Sequence, residues 1–337
     1  MPDFRLLAGL DAKPESLTGQ RLNATSYESG HMTQIDRIRD TNVPETFSKP
    51  QPVMSREAAD SIIAGALARW HAATPAESRR IATILEQEFP DQARPEDFWH
   101  SESSGAFRDF FVWGHDHDFG NGCTRAGAMG ARHIEITAEA MHLGMLPPDL
   151  NAKQILDVGC WSGGDLLILA GLGGHVTALE EHPIASAAAR RLLDLLGLEA
   201  PVLESSLYAD RREWAGRFDY AYCSGVIYHV TDPLLLLRIL FAYLKPGGDV
   251  FLETKATTGE GSICSYSGTL EKGWNWYAPN ETSLGRWLVD AGFDAQTVKV
   301  YRRSNGRLLA CGRKTEPRAL RETAGFSRPG SWLEGVV

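Results

Sequence analysis

The chain has 337 residues, of which 43% are hydrophobic and 23% are charged, and its formal net charge at pH 7 is −9. This length leaves room for an accessory part beside a catalytic core, and no apolar stretch of the sequence is long enough to span a bilayer. Because proteins bind a phosphate backbone through clustered lysine and arginine, the negative net charge argues against nucleic acid as the partner.

The first 50 residues differ in composition from the rest of the chain. Residues 1–50 are rich in serine, threonine, asparagine, aspartate, glycine and proline, which predicts a weakly ordered leader without a secretion signal. Ser55 is the expected N-cap of a helix that runs to about Ala72. The side of this helix that we expect to be buried carries Ala58, Ile62 and Ala66.

A second helix signal follows directly. Thr74–Glu77 has the spacing of a capping box, with proline at the first helical position, and predicts a helix that reaches Phe89. We therefore expect residues 51–125 to form a helical accessory or lid region. Its helices either pack on the core or contribute to a homodimer contact.

Aromatic side chains crowd residues 98–122, where they stand among histidines and aspartates. So many potential ligands in one loop rarely point at one ion, so we expect an aromatic lid over a ligand cleft and no metal. Trp113 and His117 are the members of this segment that we expect near a substrate. Arg132 begins a predicted helix to about Leu143 and could bind a ligand carboxylate or form a surface salt bridge.

The stretch from Gln154 to Gly164 is Gln-Ile-Leu-Asp-Val-Gly-Cys-Trp-Ser-Gly-Gly. Its apolar run predicts a parallel strand that is buried on both faces. The glycines after it tolerate positive φ and let the backbone approach a ligand, and an apolar helix follows at Asp165–Leu172. This unit predicts a small-molecule site at the carboxyl end of the strand. Its Gly-x-x-x-Gly-Gly spacing differs from the dinucleotide-binding Gly-x-Gly-x-x-Gly.

His175–Glu180 is the next predicted strand, and it ends about 20 residues after the glycines. That offset suits a Glu180 carboxylate that accepts hydrogen bonds from ribose hydroxyls, although an ordinary turn with a solvated glutamate is the alternative. Asp157–Gly164 resembles motif I of the class I S-adenosylmethionine-dependent methyltransferases, in which the loop passes close to the methionine part of the cofactor. The resemblance implies S-adenosyl-L-methionine as the cofactor.

Farther along, apolar runs, N-terminal prolines and C-terminal glycines mark further helices and strands. Helices are predicted at Pro183–Leu196, Leu234–Leu244 and Thr282–Ala291. Strands are predicted at Pro201–Glu204, Phe218–Cys223 and Asp249–Glu253, with a hairpin made by Gln296–Tyr301 and Arg307–Gly312.

The region after the fourth strand makes the resemblance more specific. Val226–Pro233, Phe251–Thr254 and Asn275–Asn280 are similar to the tRNA wobble-uridine carboxymethyltransferase branch of the same family. The likeness covers roughly residues 100–313. It implies an α/β fold with a seven-stranded doubly wound Rossmann-like sheet and an N-terminal helical accessory region.

The same resemblance implies a methyltransferase domain over residues 126–314, followed by a tail over residues 315–337. The residues expected to line the cofactor site are Asp157, Gly159, Cys160, Gly163, Glu180, Ser206 and Ser224. The residues expected to face the substrate are Tyr228, His229, Glu253, Trp276 and Tyr277, together with Trp113, His117 and Arg132.

Charge and cysteine usage bear on the substrate and the compartment. Only Lys272 is basic in the stretch before the Trp-Asn-Trp segment, which argues against tRNA and against a carboxylated cofactor. The five cysteines are scattered without a CxxC pair, as in a reduced cytoplasmic protein. We therefore expect a small-metabolite methyltransferase, with S-methylation of methionine or a related thioether as one reaction. The alternatives are a tRNA wobble-uridine carboxymethyl- or methyltransferase, a small-molecule O- or N-methyltransferase, and a non-catalytic cofactor-binding protein.

The acceptor atom decides whether a base is needed. Methyl transfer from a sulfonium is an in-line displacement, and a thioether acceptor requires only positioning, whereas a hydroxyl or an amine often requires a general base. His229 is the expected base, and its alternative role is a hydrogen bond to loop backbone. Tyr228 either orients the acceptor or packs, and Trp276 and Tyr277 could surround a cation.

Overall fold

The structure is a computed structural model that describes residues 46–92, 111–209, 211–267 and 275–315. Several sequence predictions lie outside the described residues: the leader before residue 46, the aromatic residues 98–110, Lys272, and the tail after residue 315. No helix within the described ranges is long and apolar enough to cross a membrane.

Two capped helices open the described chain, α1 (Arg56–Ala68) and α2 (Pro75–Glu88). Ser55 accepts a hydrogen bond from the Ala58 amide, and Thr74 accepts one from the Glu77 amide, as their spacing predicts. These bonds satisfy backbone donors that have no partner within the first helical turn.

The predicted buried side of α1 is wrong by one residue. Ala59, Ile63 and Ala66 are buried, whereas Ala58 is exposed and Ile62 is half-buried. Residues at i, i+4 and i+7 share one face of a helix, and α1 turns this face toward α3 and α4 of the core. The sequence contained two adjacent apolar stripes, and only the packing partner distinguishes them.

A short ribbon of β1 (His117–Asp118) and β2 (Thr124–Arg125) follows. The next elements are α3 (Arg132–His142), β3 (Gln154–Val158), α4 (Gly164–Gly171), β4 (His175–Glu180), α5 (Pro183–Leu196), β5 (Val202–Glu204), β6 (Phe218–Ser224), α6 (Pro233–Tyr243) and β7 (Leu244–Thr254). The described chain continues with a second ribbon, β8 (Cys264–Tyr266) and β9 (Tyr277–Pro279), then α7 (Glu281–Ala291), β10 (Lys299–Arg302) and β11 (Leu308–Arg313).

The predicted seven-stranded sheet is confirmed, with the order β10-β11-β7-β6-β3-β4-β5. Within this order, the neighbouring strands β7, β6, β3, β4 and β5 are all parallel. Strand β11 runs antiparallel to both β7 and β10. The chain builds the sheet outward from β3 through β4 to β5, then returns to the other side of β3 with β6. This reversal of strand order creates a crevice at the carboxyl ends of β3 and β6.

Both faces of the sheet are covered by helices, so successive strand residues enter different cores. Ile155 packs with the side chains of α1 to α5, and Leu156 packs with those of α6 and α7. This double burial explains the continuous apolar runs in the sequence. Helices α1 and α2 share the first of these cores, and the predicted boundary between an accessory region and a catalytic domain at residues 125 and 126 stays a prediction.

The Lys-Pro-Gly-Gly stretch at Lys245–Gly248, a sequence typical of a turn, lies inside β7. Phe218 pairs with Leu244 and Tyr220 pairs with Asp249, so the turn residues form an irregularity in a strand that continues on both sides. Gly247 has a φ of +83° there, a conformation that glycine adopts without strain.

Candidate active site

The carboxyl ends of β3, β4, β6 and β7 lie along one edge of the sheet because these strands are parallel. The loops after β3 and β6 meet there: a Cβ on Gly159 would lie 2.4 Å from a methyl carbon of Val226. Glycine is therefore required at residue 159 for space as well as for its φ of +74°.

The loop after β3 holds a strained conformation. Gly163 has a φ of +87°, and Trp161 has a φ of +45°, which is uncommon for a residue with a Cβ. Hydrogen bonds to neighbouring segments hold the loop. Gly159 N–H donates to the Leu179 carbonyl (2.8 Å), Trp161 N–H donates to Glu180 Oε2 (2.8 Å), and the Trp161 indole N–H donates to the Val112 carbonyl (3.1 Å). Its shape is thus set by β4 and by the segment before α3.

Glu180 has both carboxylate oxygens fixed by the backbone. Oε2 accepts from Trp161 N–H and Oε1 accepts from His182 N–H, each at 2.8 Å. Burial raises the pKa of this carboxyl, and the two backbone donors oppose the rise. The carboxylate therefore lies rigidly beside the glycine loop, with further lone pairs on both oxygens. Ser206 follows β5 nearby, since the amide of Ser205 donates to the Glu180 carbonyl at 3.1 Å.

Two more carboxyl groups lie beneath the loop. Burial raises the pKa of Asp157, which is 1% exposed, and of Asp165, which is 7% exposed; the charges of Asp165 and Glu180 add to the rise at Asp157, and the charge of Glu253 adds to that at Asp165. Asp157 Oδ2 is buried without a hydrogen-bond partner among the described residues. A buried acceptor in this state favours a bound hydrogen-bond donor.

Asp165 accepts a hydrogen bond from a buried tyrosine. The Tyr222 hydroxyl donates to Asp165 Oδ1 at 2.9 Å and lies 3.2 Å from the Thr137 hydroxyl, which donates to the His133 carbonyl at 2.7 Å. Burial raises the pKa of Asp165 to about 7, and the bond from Tyr222 opposes that rise.

Tyr228 and His229 lie in the loop after β6, in a short 3-10 turn at Ile227–His229. Their ring centroids are 4.0 Å apart, and both residues are half-buried. The Trp276 amide donates to the Tyr228 carbonyl at 2.7 Å, which ties the β8–β9 ribbon to this loop. The structure therefore brings Trp276 and the strand of Tyr277 next to the loop of Tyr228 and His229, and that these four residues face a substrate stays a prediction.

Glu253 does not face the cleft as a free carboxylate, contrary to the sequence prediction. Its side chain is 1% exposed, and both oxygens accept from the Arg307 guanidinium, one of them at 2.7 Å. Removing a carboxylate charge from water costs free energy, and a buried carboxylate is tolerated when a cation is paired with it in this way. Its direct contact is with Arg307.

Arg307 and Lys255 are cations at this edge that the sequence analysis did not identify. The Arg307 guanidinium carbon lies 5.0 Å from the Tyr228 ring centroid, and the Lys255 ammonium lies 5.5 Å from it. The sequence feature that could have pointed to Arg307 is its place at the start of the last predicted strand. Only the antiparallel pairing of β11 with β7 brings that strand end to the carboxyl end of β7.

The predicted aromatic lid is wrong for the residues that the structure describes. Trp113 is fully buried, its indole N–H donates to the Phe89 carbonyl at 2.9 Å, and its ring packs edge-on against Phe111 and His117. His117 is 4% exposed, and burial lowers the pKa of its imidazole to about 3. Both residues belong to the core between the sheet helices and α2. The rings of Phe111, Trp113 and His117 bury more apolar area there than they would at the rim of a cleft, and that burial is favourable.

The segment around Trp113 nevertheless supports the glycine loop. Gly114 N–H donates to the Ser162 hydroxyl at 3.0 Å, and a Cβ on Gly164 would lie 2.4 Å from His115 Nδ1. His115 packs on His133 with ring centroids 4.5 Å apart, and burial lowers the pKa of both imidazoles. The two rings are therefore neutral at pH 7.

The remaining predicted site residues differ in exposure. Arg132 begins α3, is half-buried and has no carboxylate partner among the described residues.

Burial raises the pKa of the Tyr228 phenol, and the charges of Arg307 and Arg132 oppose that rise. Burial also raises the pKa of the Cys160 thiol, so this residue is a buried neutral part of the loop. Ser224 is half-buried at the end of β6.

A cavity of about 380 Å³ lies at the opposite edge of the sheet, near the amino ends of β3 and β6. Asp219 in its wall pairs with Lys245, and Asp249 pairs with Arg313, both at 2.8 Å. None of the predicted site residues lines this cavity. Across the four described ranges, no group of three histidine, cysteine or acidic side chains has the geometry of a metal site.

Known proteins resemble this chain over its central part. A family model described as a methyltransferase domain matches residues 132–298. A ubiquinone biosynthesis O-methyltransferase of Xanthomonas axonopodis pv. citri is 33% identical over 155 residues, which are 43% of this chain and 64% of that protein. The protein of the same name from Pseudomonas paraeruginosa is 30% identical over 163 residues, 44% of this chain and 68% of the relative.

A tRNA U34 carboxymethyltransferase of Campylobacter hominis is 29% identical over 128 residues, 37% of this chain and 45% of that protein. The chain thus spans slightly less than two thirds of the length of the Xanthomonas relative and under half of the Campylobacter one. The matched region contains the glycine loop, Glu180 and the loop of Tyr228 and His229.

Proposed function

Because the chain belongs to the class I S-adenosylmethionine-dependent methyltransferases, we propose that it methylates a small-molecule acceptor in the crevice between the loops after β3 and β6. The observation that carries this proposal is the contact between those loops. Gly159 of one loop touches Val226 of the other, two residues before Tyr228. A ligand on the glycine loop and an acceptor at Tyr228 are therefore neighbours, as methyl transfer requires.

The residues present fit the cofactor. The glycine loop would lie against its methionine part, Asp157 Oδ2 would accept a hydrogen bond from its amino group, and Glu180 would accept from its ribose hydroxyls. The buried, unpartnered oxygen of Asp157 supports this assignment. When bound, the cofactor supplies an electrophilic methyl group on a sulfonium.

His229 takes the acceptor proton in this proposal. The relatives named as ubiquinone biosynthesis O-methyltransferases favour a hydroxyl acceptor, and a hydroxyl needs a base as its oxygen becomes the nucleophile. Tyr228 packs on the His229 ring and orients it. A thioether acceptor, such as methionine, remains the alternative that needs no base.

Replacement of His229 by alanine tests the base. We expect the variant to bind S-adenosylhomocysteine with unchanged affinity in titration calorimetry and to lose about 10²- to 10⁴-fold in kcat. Full turnover by the variant would contradict the base assignment and favour the thioether acceptor. A matched replacement of His175, which is exposed at the start of β4, is the control.

The acceptor itself can be found by incubating the full chain with methyl-labelled S-adenosylmethionine and a metabolite extract, followed by mass detection of labelled products. A labelled small molecule supports the proposal. Binding of S-adenosylhomocysteine without any labelled product favours the non-catalytic alternative.

A second candidate is transfer to tRNA, favoured by the Campylobacter relative and by two cations beside Tyr228. The sequence analysis considered only Lys272, in the stretch before the Trp-Asn-Trp segment, as a cation for a carboxylated cofactor, whereas Arg307 and Lys255 lie beside Tyr228. The net charge of −9 opposes this candidate. Salt-sensitive co-purification of RNA with the protein would favour it.

A further inference from the structure

We propose that Lys255 binds an anionic group, a carboxylate or a phosphate, of the methyl acceptor. This inference rests on the proposed function and assigns the acceptor to the organic acids or phosphate esters. It starts from an imbalance of charge at the carboxyl end of β7.

Two cations and one carboxylate meet at that end of the sheet. Thr254 of β7 pairs with Leu308 of β11, so the next residues along the register, Lys255 and Arg307, stand opposite each other. Like charges directly across two strands repel. Glu253, one residue before Thr254, accepts a hydrogen bond from Arg307 on each of its oxygens.

The ammonium of Lys255 forms no ion pair with any carboxylate of the described residues. Its identified neighbour is the face of the Tyr228 ring at 5.5 Å. The side chain is half-buried, and burial lowers the pKa of its ammonium, an effect to which the charge of Arg307 adds. A partly desolvated cation without a partner favours a bound anion.

The position of Lys255 indicates which ligand carries that anion. The Lys255 ammonium lies 5.5 Å from the centre of the Tyr228 ring, and that ring contacts the His229 ring. An anionic group held by Lys255 therefore lies beside the proposed acceptor site. The distance from Lys255 to His229 then selects acceptors by the separation between their anionic group and their hydroxyl.

The test compares matched ligands that differ only in charge. Small hydroxy acids, the corresponding primary amides and the corresponding phosphate esters are titrated into the full chain saturated with S-adenosylhomocysteine. We expect acids or phosphate esters, but not amides, to bind. The preference between carboxylate and phosphate identifies the source of the anion.

Lys255→Met should raise the dissociation constant of the anionic ligands about tenfold or more, because a charge-assisted hydrogen bond is lost. Lys255→Arg should retain most of the affinity, and Lys153→Met, at an exposed lysine before the other end of β3, should change nothing. Each variant is first checked for unchanged binding of S-adenosylhomocysteine.

Equal binding of acids and amides, absence of binding by every anionic ligand, or full affinity in Lys255→Met would overturn the proposal and leave Lys255 a purely structural contact of Tyr228. The proposed function fails separately. If wild-type protein binds anions through Lys255 but transfers no label to any metabolite, methyl transfer is wrong and the anion site stands. Labelled products that all pass an anion-exchange resin unretained would instead overturn the anion site and keep methyl transfer.

Discussion

At the scale of single residues, the candidate site is distinguished by buried acids in different surroundings. Glu180 is held by backbone donors, Glu253 is paired with Arg307, and burial raises the pKa of Asp165 to about 7 although Tyr222 donates a hydrogen bond to it. Asp157 has one oxygen without a hydrogen-bond partner among the described residues. Their net charge therefore depends on the surroundings of each group and not on their number.

Asp165 gives a pH dependence with a defined sign. Its pKa is about 7 in the folded protein and about 4 in an unfolded chain, so unfolding between these values releases a proton. The free energy of unfolding contributed by this group therefore falls as pH rises from about 4 to about 7 and stays low above that. The neighbouring groups that face it are Asp157, Glu253, Tyr222 and Thr137.

Asp165→Asn keeps the shape of the side chain but cannot ionise. We therefore expect its free energy of unfolding to fall less between pH 5 and pH 8 than that of the wild type. Urea unfolding at both pH values measures this difference, which should amount to about 1–3 kcal/mol. Asp194→Asn, at an exposed residue of α5, is the control. Equal pH dependence in wild type and Asp165→Asn would show that Asp165 is ionised in the folded protein.

At the scale of elements, the β7–β11 pair carries an arginine–carboxylate pair at each end. Glu253 and Arg307 are nearly buried at the carboxyl end of β7, with 1% and 15% of their side chains exposed. Asp249 and Arg313 form the same two-bond geometry toward the other end, with 27% and 52% exposed. The same chemistry is thus found in two different surroundings within one strand pair.

We expect Glu253→Gln to lower the free energy of unfolding by about 3–5 kcal/mol, because it leaves the Arg307 charge buried without a partner. Asp249→Asn, the matched change, should cost at most about 1 kcal/mol because water screens that pair. Chemical denaturation of both variants measures the difference. Similar costs at the two ends would mean that burial does not control these pairs.

At the scale of the whole molecule, the N-terminal helices α1 and α2 share a hydrophobic core with helices that cover the sheet. Helix α1 approaches α4 so closely that a Cβ on Gly171 would lie 2.4 Å from the Ala66 carbonyl oxygen. Backbone atoms cannot move aside as a side chain can. The contact places α1 against α4, the helix that follows the glycine loop.

We expect Gly171→Ala to destabilise the protein by about 1–3 kcal/mol, since overpacking outweighs the better helix propensity of alanine. Gly65→Ala, in α1 where nothing lies within 4 Å of the added Cβ, should instead stabilise it by about 0.5–1 kcal/mol. Thermal unfolding of the two variants gives shifts of opposite sign. A stabilising Gly171→Ala would show that α1 is not held in close contact with α4.

Local signals predicted much of the fold. The strand His175–Glu180 and the helix Pro183–Leu196 have the predicted bounds, because an apolar run, a helix-starting proline and the terminating Gly197 act within a few residues. Other boundaries, such as those of α4 and α6, shift by one residue at each end. Predictions for the cofactor residues stay predictions, although the structure brings them to one edge of the sheet.

The sequence by itself determined where strands, helices and the glycine loop form, because these depend on neighbours in the chain. Only the tertiary structure decided that Trp113 enters the core, that Arg307 pairs with Glu253, and that Lys255 has no carboxylate partner among the described residues. Those outcomes follow from helix packing and from the pairing of β7 with β11, which joins Glu253 and Arg307 across 54 positions of the chain. No local pattern encodes which of several distant charges or faces will meet.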